Sequence, residues 1–424
     1  MQKTIFTLLT TFLFSLQTII AQTACGDRYQ TDVFADFTVT QDIQYGSNVD
    51  VEGNNKILKF DFYEPTGDDL AARPLIIWAH GGAFVAGNEN SIDIVNLCEA
   101  FSRKGYVNAS INYRLLSNNY IAAQLGAGVP LEEIFFDAVV KAVGDMRAAV
   151  RFFRKDAATD NLYNIDPNQI YVGGASAGGF MALHTAYLTT ESDFDNYTIV
   201  DGMQFVNANG GFEGNSGNAG YSSAVNGAIN LCGAIGSPDF MQANEVPVVS
   251  IHGDADTVVP YDSASPDANG FGEIELYGSF FVHQQANLLG IHNALWTLEG
   301  EEHMAHANAS NFPQTVSFIG DFLYPLIECE SLAVCIMPTN HTETTVGSTN
   351  VTLSWDSIEG ADSYEIAGKK QGTNWNVYAV SSNPRTFNGL KPNTTYKWAI
   401  RSVCADGEKS EWSEVRTFTT LAGN

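Results

Sequence analysis

Three kinds of residue along this chain could together carry out nucleophilic catalysis: a serine in a glycine-rich turn, aspartates after a buried strand, and histidines in a later loop. The serine is Ser176, within the Gly-Gly-Ala-Ser-Ala-Gly-Gly segment at residues 173–179. A serine hydroxyl is a poor nucleophile until a base accepts its proton, and the base needs an acidic partner that fixes its tautomer. A carboxylate and an imidazole are therefore expected after Ser176, in the chain order serine, acid, histidine.

The candidates for the acid are Asp254 and Asp256, and the candidates for the base are His303 and His306. We favour Asp256 because it lies beyond its strand, where the loop can turn the carboxylate toward the serine, whereas Asp254 is better placed to brace the turn. We favour His303 because it comes earlier in its loop, whereas His306 would begin the final helix. Asp254 and Asp256 could also form a metal site with His252 and His303. A strand end followed by an acid loop explains the spacing more economically, so we expect no metal and no cofactor.

The residues around Ser176 predict a strand, a sharp turn and a helix. The β-branched and aromatic run at residues 170–172 favours a strand that leads into the turn. A serine at such a turn has a strained backbone, and small residues are needed two positions before and after it so that neighbouring chain can pass. Gly174 and Gly178 meet this need. The turn places the hydroxyl at a helix N-terminus, where the amide of Ala177 favours developing negative charge.

A second group of amides is expected after another buried strand. The continuous apolar run at residues 74–79 is typical of a strand covered on both faces in a parallel sheet, and it ends in HGGAF at residues 80–84. Two glycines allow the backbone to turn so that the amides of Gly82 and Ala83 face a cavity. With the amide of Ala177 they could bind an oxyanion, while the histidine of the motif braces the loop.

Strands that alternate with helices along residues 22–330 predict a doubly wound, mostly parallel α/β sheet. Residues 34–45 and 57–63 are expected to form an antiparallel edge of this sheet, and residues 131–155 form a long amphipathic helix. Further strands are expected at residues 106–110, 228–233, 246–252 and 294–298, and further helices at 279–289 and 312–327. Ligands of such sheets bind at the carboxyl ends of the strands. The Asn- and Gly-rich segment 191–227 is either a lid that faces substrate or a surface insertion.

The tail of the chain, residues 335–421, has short strands of period two and no helical pattern, which predicts a small all-β sandwich. Cys404 falls on the same strand face as Trp398 and Ile400, so it points toward the core. Cys335, at the entry to this domain, could form a disulfide with it. No constellation of catalytic residue types occurs here, so we expect a spacer, docking or adhesion unit that contacts a glycan or a cell surface.

Composition excludes several classes of function. The chain of 424 residues, 45% hydrophobic, is long enough for one large and one small packed domain. A formal charge of -27 would repel nucleic acid and anionic membrane surfaces. Residues 1–21 carry one lysine followed by an apolar run, which predicts a secretory signal peptide and no membrane insertion after its removal. Export to the periplasm, cell surface or medium would make the six cysteines candidates for disulfides.

Four motifs together resemble the α/β-hydrolase superfamily, above all secreted carboxylesterases and bacterial feruloyl and acetylxylan esterases. They are HGGAF at 80–84, NYRL at 112–115, GGASAGG at 173–179 and HGDADTVVP at 252–260. The resemblance implies a serine esterase without a cofactor, whose substrate is a small or polysaccharide-linked ester. It assigns the nucleophile to Ser176, the acid to Asp256, the base to His303, and the oxyanion amides to Gly82, Ala83 and Ala177. The loop GEEHMAH departs from the family pattern and leaves His306 open as the base.

The tail resembles a fibronectin type III domain, with Trp355 and Tyr396 at positions where that family keeps a core tryptophan and tyrosine. Two other functions remain open from the sequence. One is a serine peptidase of the same fold, and the other is a non-catalytic adhesion protein whose working part is the β-sandwich.

Overall fold

The computed structural model describes residues 25–423 except 196, 198–199, 265–274, 330–334, 359, 405–406 and 408. The predicted signal peptide, residues 1–21, lies outside the described residues. The chain divides into two compact units, Gly26–Glu328 and a second unit that begins at Cys329. Across the described ranges, no helix combines the length and the apolar character needed to span a bilayer.

The first unit is built on one eight-stranded sheet with the order β1-β2-β4-β3-β5-β6-β7-β10. Its strands are β1 (Phe37–Val49), β2 (Asn55–Pro65), β3 (Arg73–Ala79), β4 (Val107–Ile111), β5 (Ile165–Ala175), β6 (Gly227–Leu231), β7 (Val248–Gly253) and β10 (Asn293–Leu298); β8 (Ser263–Ala264) and β9 (Leu276–Tyr277) form a separate two-stranded ribbon. β2 pairs antiparallel with both β1 and β4, and every pair from β4 to β10 is parallel. The predicted mostly parallel sheet with an antiparallel edge is confirmed.

Helices cover the faces of this sheet, which is why its central strands read as continuous apolar runs: all seven residues of β3 are buried. The helices are α1 (Ile92–Arg103), α2 (Asn118–Gly126), α3 (Leu131–Ala158), α4 (Ala177–Tyr187), α5 (Gly202–Ala208), α6 (Ser279–Leu289) and α7 (Phe312–Leu323). The sequence analysis did not predict α1, α2 or α5. It also extended α7 to residue 327, whereas the chain changes to a 3-10 turn at Tyr324–Leu326, which contains Pro325. Proline has no N–H to continue an α-helix.

Strand order decides what meets at the edge of the sheet. β5, β6, β7 and β10 are successive parallel neighbours, so their carboxyl ends lie side by side. The residues that directly follow these strands are Ser176, Cys232 and the loops that carry Asp256 and His303. Four side chains that are far apart in the sequence therefore reach one place.

The segment 191–227 is held against α3 by arginines. Arg147 is buried and donates to the carbonyl of Phe212 in the segment and to carbonyls at the end of α4. Arg151 donates to the carbonyl of Gly217 at 2.9 Å and forms a 2.9 Å ion pair with Glu213. The described part of the 191–227 segment is therefore anchored to α3.

The second unit is a β-sandwich of two antiparallel sheets, β11-β12-β15 and β14-β13-β16-β17. The strands are β11 (Thr342–Val346), β12 (Asn350–Ser354), β13 (Ala361–Lys370), β14 (Asn376–Val380), β15 (Arg385–Asn388), β16 (Thr395–Cys404) and β17 (Arg416–Thr419). β11 and β15 were not predicted. Trp355, Trp398 and Ile400 are buried in its core. The predicted Cys335–Cys404 disulfide is present, and Cys25 forms a second disulfide with Cys329.

Candidate active site

Ser176 lies at the tip of a strained turn between β5 and α4. Its backbone has φ 53° and ψ -117°, outside the regions that L-residues ordinarily occupy, and its N–H donates to the carbonyl of Leu231 at 2.8 Å. A Cβ on Gly174 or Gly178 would collide with the carbonyl oxygen of Ala79 on β3. Both glycines are therefore required by close backbone approach, and that approach fixes the direction of the serine side chain.

The imidazole of His303 bridges Ser176 and Asp256. Nε2 of His303 lies 3.0 Å from Oγ of Ser176, and Nδ1 lies 2.6 Å from Oδ2 of Asp256. A carboxylate only accepts hydrogen bonds, so Nδ1 carries a proton, and in the neutral imidazole Nε2 is free to accept from the hydroxyl. The three predicted residues thus form one hydrogen-bonded chain.

The carboxylate of Asp256 is fixed by donors on both oxygens. Oδ1 accepts from the amides of Val258 at 2.8 Å and Val259 at 2.9 Å. Oδ2 accepts from His303 and also lies 3.1 Å from Nε2 of His252. Nδ1 of His252 lies 2.9 Å from the hydroxyl of Ser279, so this second imidazole is itself oriented.

Backbone contacts tie the acid loop to the histidine loop. The amide of Ala255 donates to the carbonyl of Glu301 at 3.1 Å, and the hydroxyl of Thr257 donates to Glu302 at 3.0 Å. Asp254 accepts from the amide of Gly300 at 2.6 Å, so it braces these loops. Glu301 and Glu302 of the GEEHMAH loop thus help to hold the two loops together.

His306 is not part of the chain that reaches Ser176. It lies in a 3-10 turn at Ala305–Ala307 and is 2% exposed. The expectation that it begins the final helix is wrong, because α7 starts only at Phe312. Met304, in the left-handed conformation with φ 63°, turns the chain between the two histidines. The imidazole of His306 instead lowers the pKa of the Cys232 thiol.

The loop after β3 presents amides beside Ser176. Gly82, Ala83 and Phe84 have positive φ values of 111°, 52° and 60°, which turns the backbone sharply away from the strand. Within the described residues, the N–H groups of Gly82 and Ala83 make no hydrogen bond. Ala177 is the first residue of α4, so its amide has no acceptor inside the helix. Three donors are therefore available for a developing oxyanion.

The first histidine of that loop has a structural role. Nδ1 of His80 lies 2.6 Å from the carbonyl oxygen of Gly81, and its ring stacks on Tyr113 with centroids 4.3 Å apart. The hydroxyl of Tyr113 donates to the carbonyl of His80 at 2.9 Å. His80 thus fixes the loop that carries the amides.

An apolar pocket of about 760 Å³, partly open to solvent, adjoins the serine. Ser176, Ala177 and Ala83 line it, so the proposed nucleophile and two of the three residues with candidate oxyanion amides border one space. Its other lining residues are Phe84, Glu132, Phe135, Phe136, Val139, Phe180, His184, Tyr197, Gly236, Val258, Val259 and Leu276. The first turns of α3 contribute four of these residues, and Tyr197 is the contribution of the 191–227 segment. The pocket suits an uncharged, apolar group.

The charges around the imidazole shift its proton affinity. Burial lowers the pKa of His303, but its hydrogen bond to Asp256 and the neighbouring thiol of Cys232 outweigh burial and raise it. Burial raises the pKa of Asp256, but hydrogen bonds from His252, His303 and Val259 outweigh burial and lower it. The carboxylate therefore stays ionised, and the imidazole holds its proton more strongly than an exposed histidine does.

Sequence reasoning missed two residues of this site. His252 entered only as a metal ligand, and its position four residues before Asp256 at the end of β7 was the available signal. Cys232 was not considered, although it directly follows β6 at the same edge of the sheet. Burial raises the pKa of its thiol, while the imidazoles of His306 and His303 outweigh burial and lower it.

Comparisons with known proteins find similarity in both parts of the chain. A family model described as BD-FAE matches residues 60–126 and 136–213, and the fibronectin type III model matches residues 337–419. The chain is 28% identical over 123 residues to secreted lipase 4 of Gibberella zeae, which is 29% of this chain and 20% of that protein. It is 33% identical over 75 residues, 18% of this chain and 10% of that protein, to fibronectin type III domain-containing protein 7 of Mus musculus. The matches thus span only a fifth or less of these curated relatives.

Among solved structures, the propionate-bound esterase 2 of Thermogutta terrifontis is 20% identical, with a TM-score of 0.47, and the match covers 70% of this chain and 96% of that one. A truncated carbohydrate esterase from gut microbiota is 19% identical, with a TM-score of 0.46, over 69% of this chain and 97% of that one. The BD-FAE match includes Gly82, Ala83, Ser176 and Ala177 and ends before Asp256. The chain therefore contains a region that matches the BD-FAE model within an α/β-hydrolase fold, followed by a fibronectin type III domain.

Proposed function

We propose that this α/β-hydrolase with a fibronectin type III tail is a secreted serine esterase that uses Ser176, His303 and Asp256. The observation that carries the proposal is the hydrogen-bonded chain from Oγ through the imidazole to the carboxylate, with distances of 3.0 Å and 2.6 Å. A serine, a neutral imidazole and a buried carboxylate in this order are what nucleophilic catalysis requires.

In the reaction, Oγ of Ser176 attacks the carbonyl carbon of the ester while Nε2 of His303 takes the hydroxyl proton. The carbonyl oxygen becomes an oxyanion, which the amides of Gly82, Ala83 and Ala177 stabilise. The tetrahedral intermediate collapses to an acyl-enzyme as His303 protonates the departing alcohol. Water then attacks the acyl group by the same steps in reverse and releases the acid.

Asp256 acts through the imidazole. Its Oδ2 holds Nδ1–H of His303, which keeps the lone pair of Nε2 directed at the serine and stabilises the imidazolium that forms. The donors on Oδ1, from Val258 and Val259, keep the carboxylate from rotating away. His252 adds a further donor to Oδ2, so it is a positioning residue.

The pocket supports an ester with an uncharged, apolar group next to the carbonyl. Its aromatic wall, which includes Phe84, Phe136 and Phe180, offers no cation to pair with a charged acyl group. Glu132 at the wall would repel an anionic one. Secretion is part of the proposal because disulfides such as Cys335–Cys404 form and persist in oxidising compartments.

The direct test is Ser176→Ala. The purified variant should lose nearly all hydrolysis of a short-chain aryl ester, by about 10^4-fold or more, because it lacks the attacking oxygen. A fluorophosphonate probe should label the parent protein and not the variant. Peptide anilides assayed alongside separate an esterase from a peptidase. An unchanged rate in the variant would end the proposal.

A further inference from the structure

A group of donor atoms that the proposed reaction does not use adjoins His303. Cys232 is one of two free cysteines in the described residues, and it is buried. Its thiol lies 3.5 Å from the sulfur of Met304. The backbone of Cys232 has φ 45°, and its N–H donates to the carbonyl of Ile251 at 2.9 Å. This geometry holds the thiol between the ends of β6 and β7.

The donors converge. The sulfur of Cys232, a ring nitrogen of His303 and a carboxylate oxygen of Asp256 all lie within 4.8 Å of one another. His306, which is 98% buried, acts on the same thiol, because its imidazole lowers the pKa of Cys232.

Thiolate, imidazole and carboxylate are the three ligand types that Zn²⁺ takes in proteins, with bonds of about 2.0–2.3 Å in a tetrahedral arrangement. Donors around such an ion are about 3.4–3.6 Å apart, so a shift of roughly 1 Å or less brings this set into range. The sulfur disfavours Mg²⁺ and Ca²⁺, which prefer oxygen ligands. The set matches a thiophilic cation rather than a hard one.

We propose that Cys232, Asp256 and His303 bind a Zn²⁺ ion, and that the bound ion switches hydrolysis off. The inhibition by the bound ion rests on the proposed function. A neutral imidazole has a single lone pair, and coordination uses it, so zinc-bound His303 cannot accept the proton of Ser176. Coordination of Asp256 removes the acceptor that fixes the imidazole as well. The bound ion therefore inhibits hydrolysis, because it uses the groups that would transfer the proton of Ser176.

Binding is tested on the full chain, freed of metal with EDTA, without substrate. A competition titration with a chromophoric chelator should show one Zn²⁺ site. Cys232→Ser should weaken it about 100-fold or more, since even outer-shell changes cost 10–100-fold. The matched control is Cys98→Ser, which removes the other free, buried cysteine and should leave the affinity unchanged.

Cobalt supplies a readout specific for the thiolate. Co²⁺ added to the parent chain or to Cys98→Ser should give a sulfur-to-cobalt charge-transfer band, and Cys232→Ser should lack it. A parent chain that binds Co²⁺ without this band, or binds no metal, overturns the site, whatever the variants do. Loss of the band in Cys98→Ser would overturn it too.

Inhibition is tested separately. Zn²⁺ should block both ester hydrolysis and fluorophosphonate labelling of the parent chain, and EDTA should restore both. A chain that shows the thiolate–cobalt band but hydrolyses no ester refutes the proposed function and leaves the metal site standing. A chain that hydrolyses esters unhindered while Zn²⁺ occupies the site refutes the switch.

Discussion

Asp256→Asn is the most informative single substitution, because the structure fixes what each atom of the new amide would meet. Oδ1 of Asp256 accepts from two backbone amides, and Oδ2 accepts from two histidines. If the asparagine oxygen stays with Val258 and Val259, its NH₂ group faces Nδ1 of His303. If the side chain flips, NH₂ faces two backbone N–H groups and leaves both unpaired.

The first orientation is therefore the favoured one, and it changes the tautomer of His303. Nδ1 of His303 must then accept from the amide, so Nε2 carries the proton and can no longer take one from Ser176. We expect kcat to fall about 10^3- to 10^4-fold, which corresponds to roughly 4–5.5 kcal/mol of transition-state stabilisation. KM should change little, because Asp256 does not line the apolar pocket.

The assay is steady-state hydrolysis of a short-chain aryl ester, with thermal unfolding to show that the variant is folded. Asp254→Asn is the matched control. Asp254 is exposed and, among the described residues, its side chain accepts only from Gly300. An amide oxygen can still accept this bond, so the effect of the substitution should stay within about 0.5 kcal/mol, or roughly twofold. A folded Asp256→Asn within tenfold of the parent rate, or equal damage in Asp254→Asn, would refute the assigned relay.

Two further predictions concern the turn and the pH profile. Gly178→Ala should lower the free energy of unfolding by about 1–3 kcal/mol or more, because the new Cβ meets the backbone of β3. Gly126 has open space around it, so Gly126→Ala should leave the free energy of unfolding unchanged or raise it by up to about 1 kcal/mol. Urea unfolding measures both variants. The pKa of His303 is raised above 6.5, and only its neutral form accepts a proton, so kcat/KM in EDTA should rise with pH through and above neutrality. Cys232→Ser removes a group that raises this pKa and should move the midpoint to lower pH, whereas Cys98→Ser should not.

Each of these has a clear contrary result. Equal stability of the two glycine variants would show that the close approach of β3 does not constrain the turn. A midpoint that stays in place or rises in Cys232→Ser would show that the thiol does not influence the imidazole.

Much of the architecture follows from the sequence because local sterics and burial set it. The β-branched run before Ser176 and the glycines at 174 and 178 already specify a strand, a tight turn and a helix. Apolar runs such as residues 74–79 specify strands covered on both faces. The order serine, acid, histidine placed each candidate after a strand, and that was enough to nominate Asp256 and His303.

Tertiary structure alone decided which groups meet. His303 and His306 are three residues apart and separated by the left-handed turn at Met304, and only His303 reaches the hydroxyl of Ser176 among the described residues. The adjacency of β5, β6, β7 and β10 brings the thiol to the acid and the imidazole. Distances between side chains so far apart in the chain depend on strand order and on a few loop torsions. Neither leaves a periodic trace in the sequence.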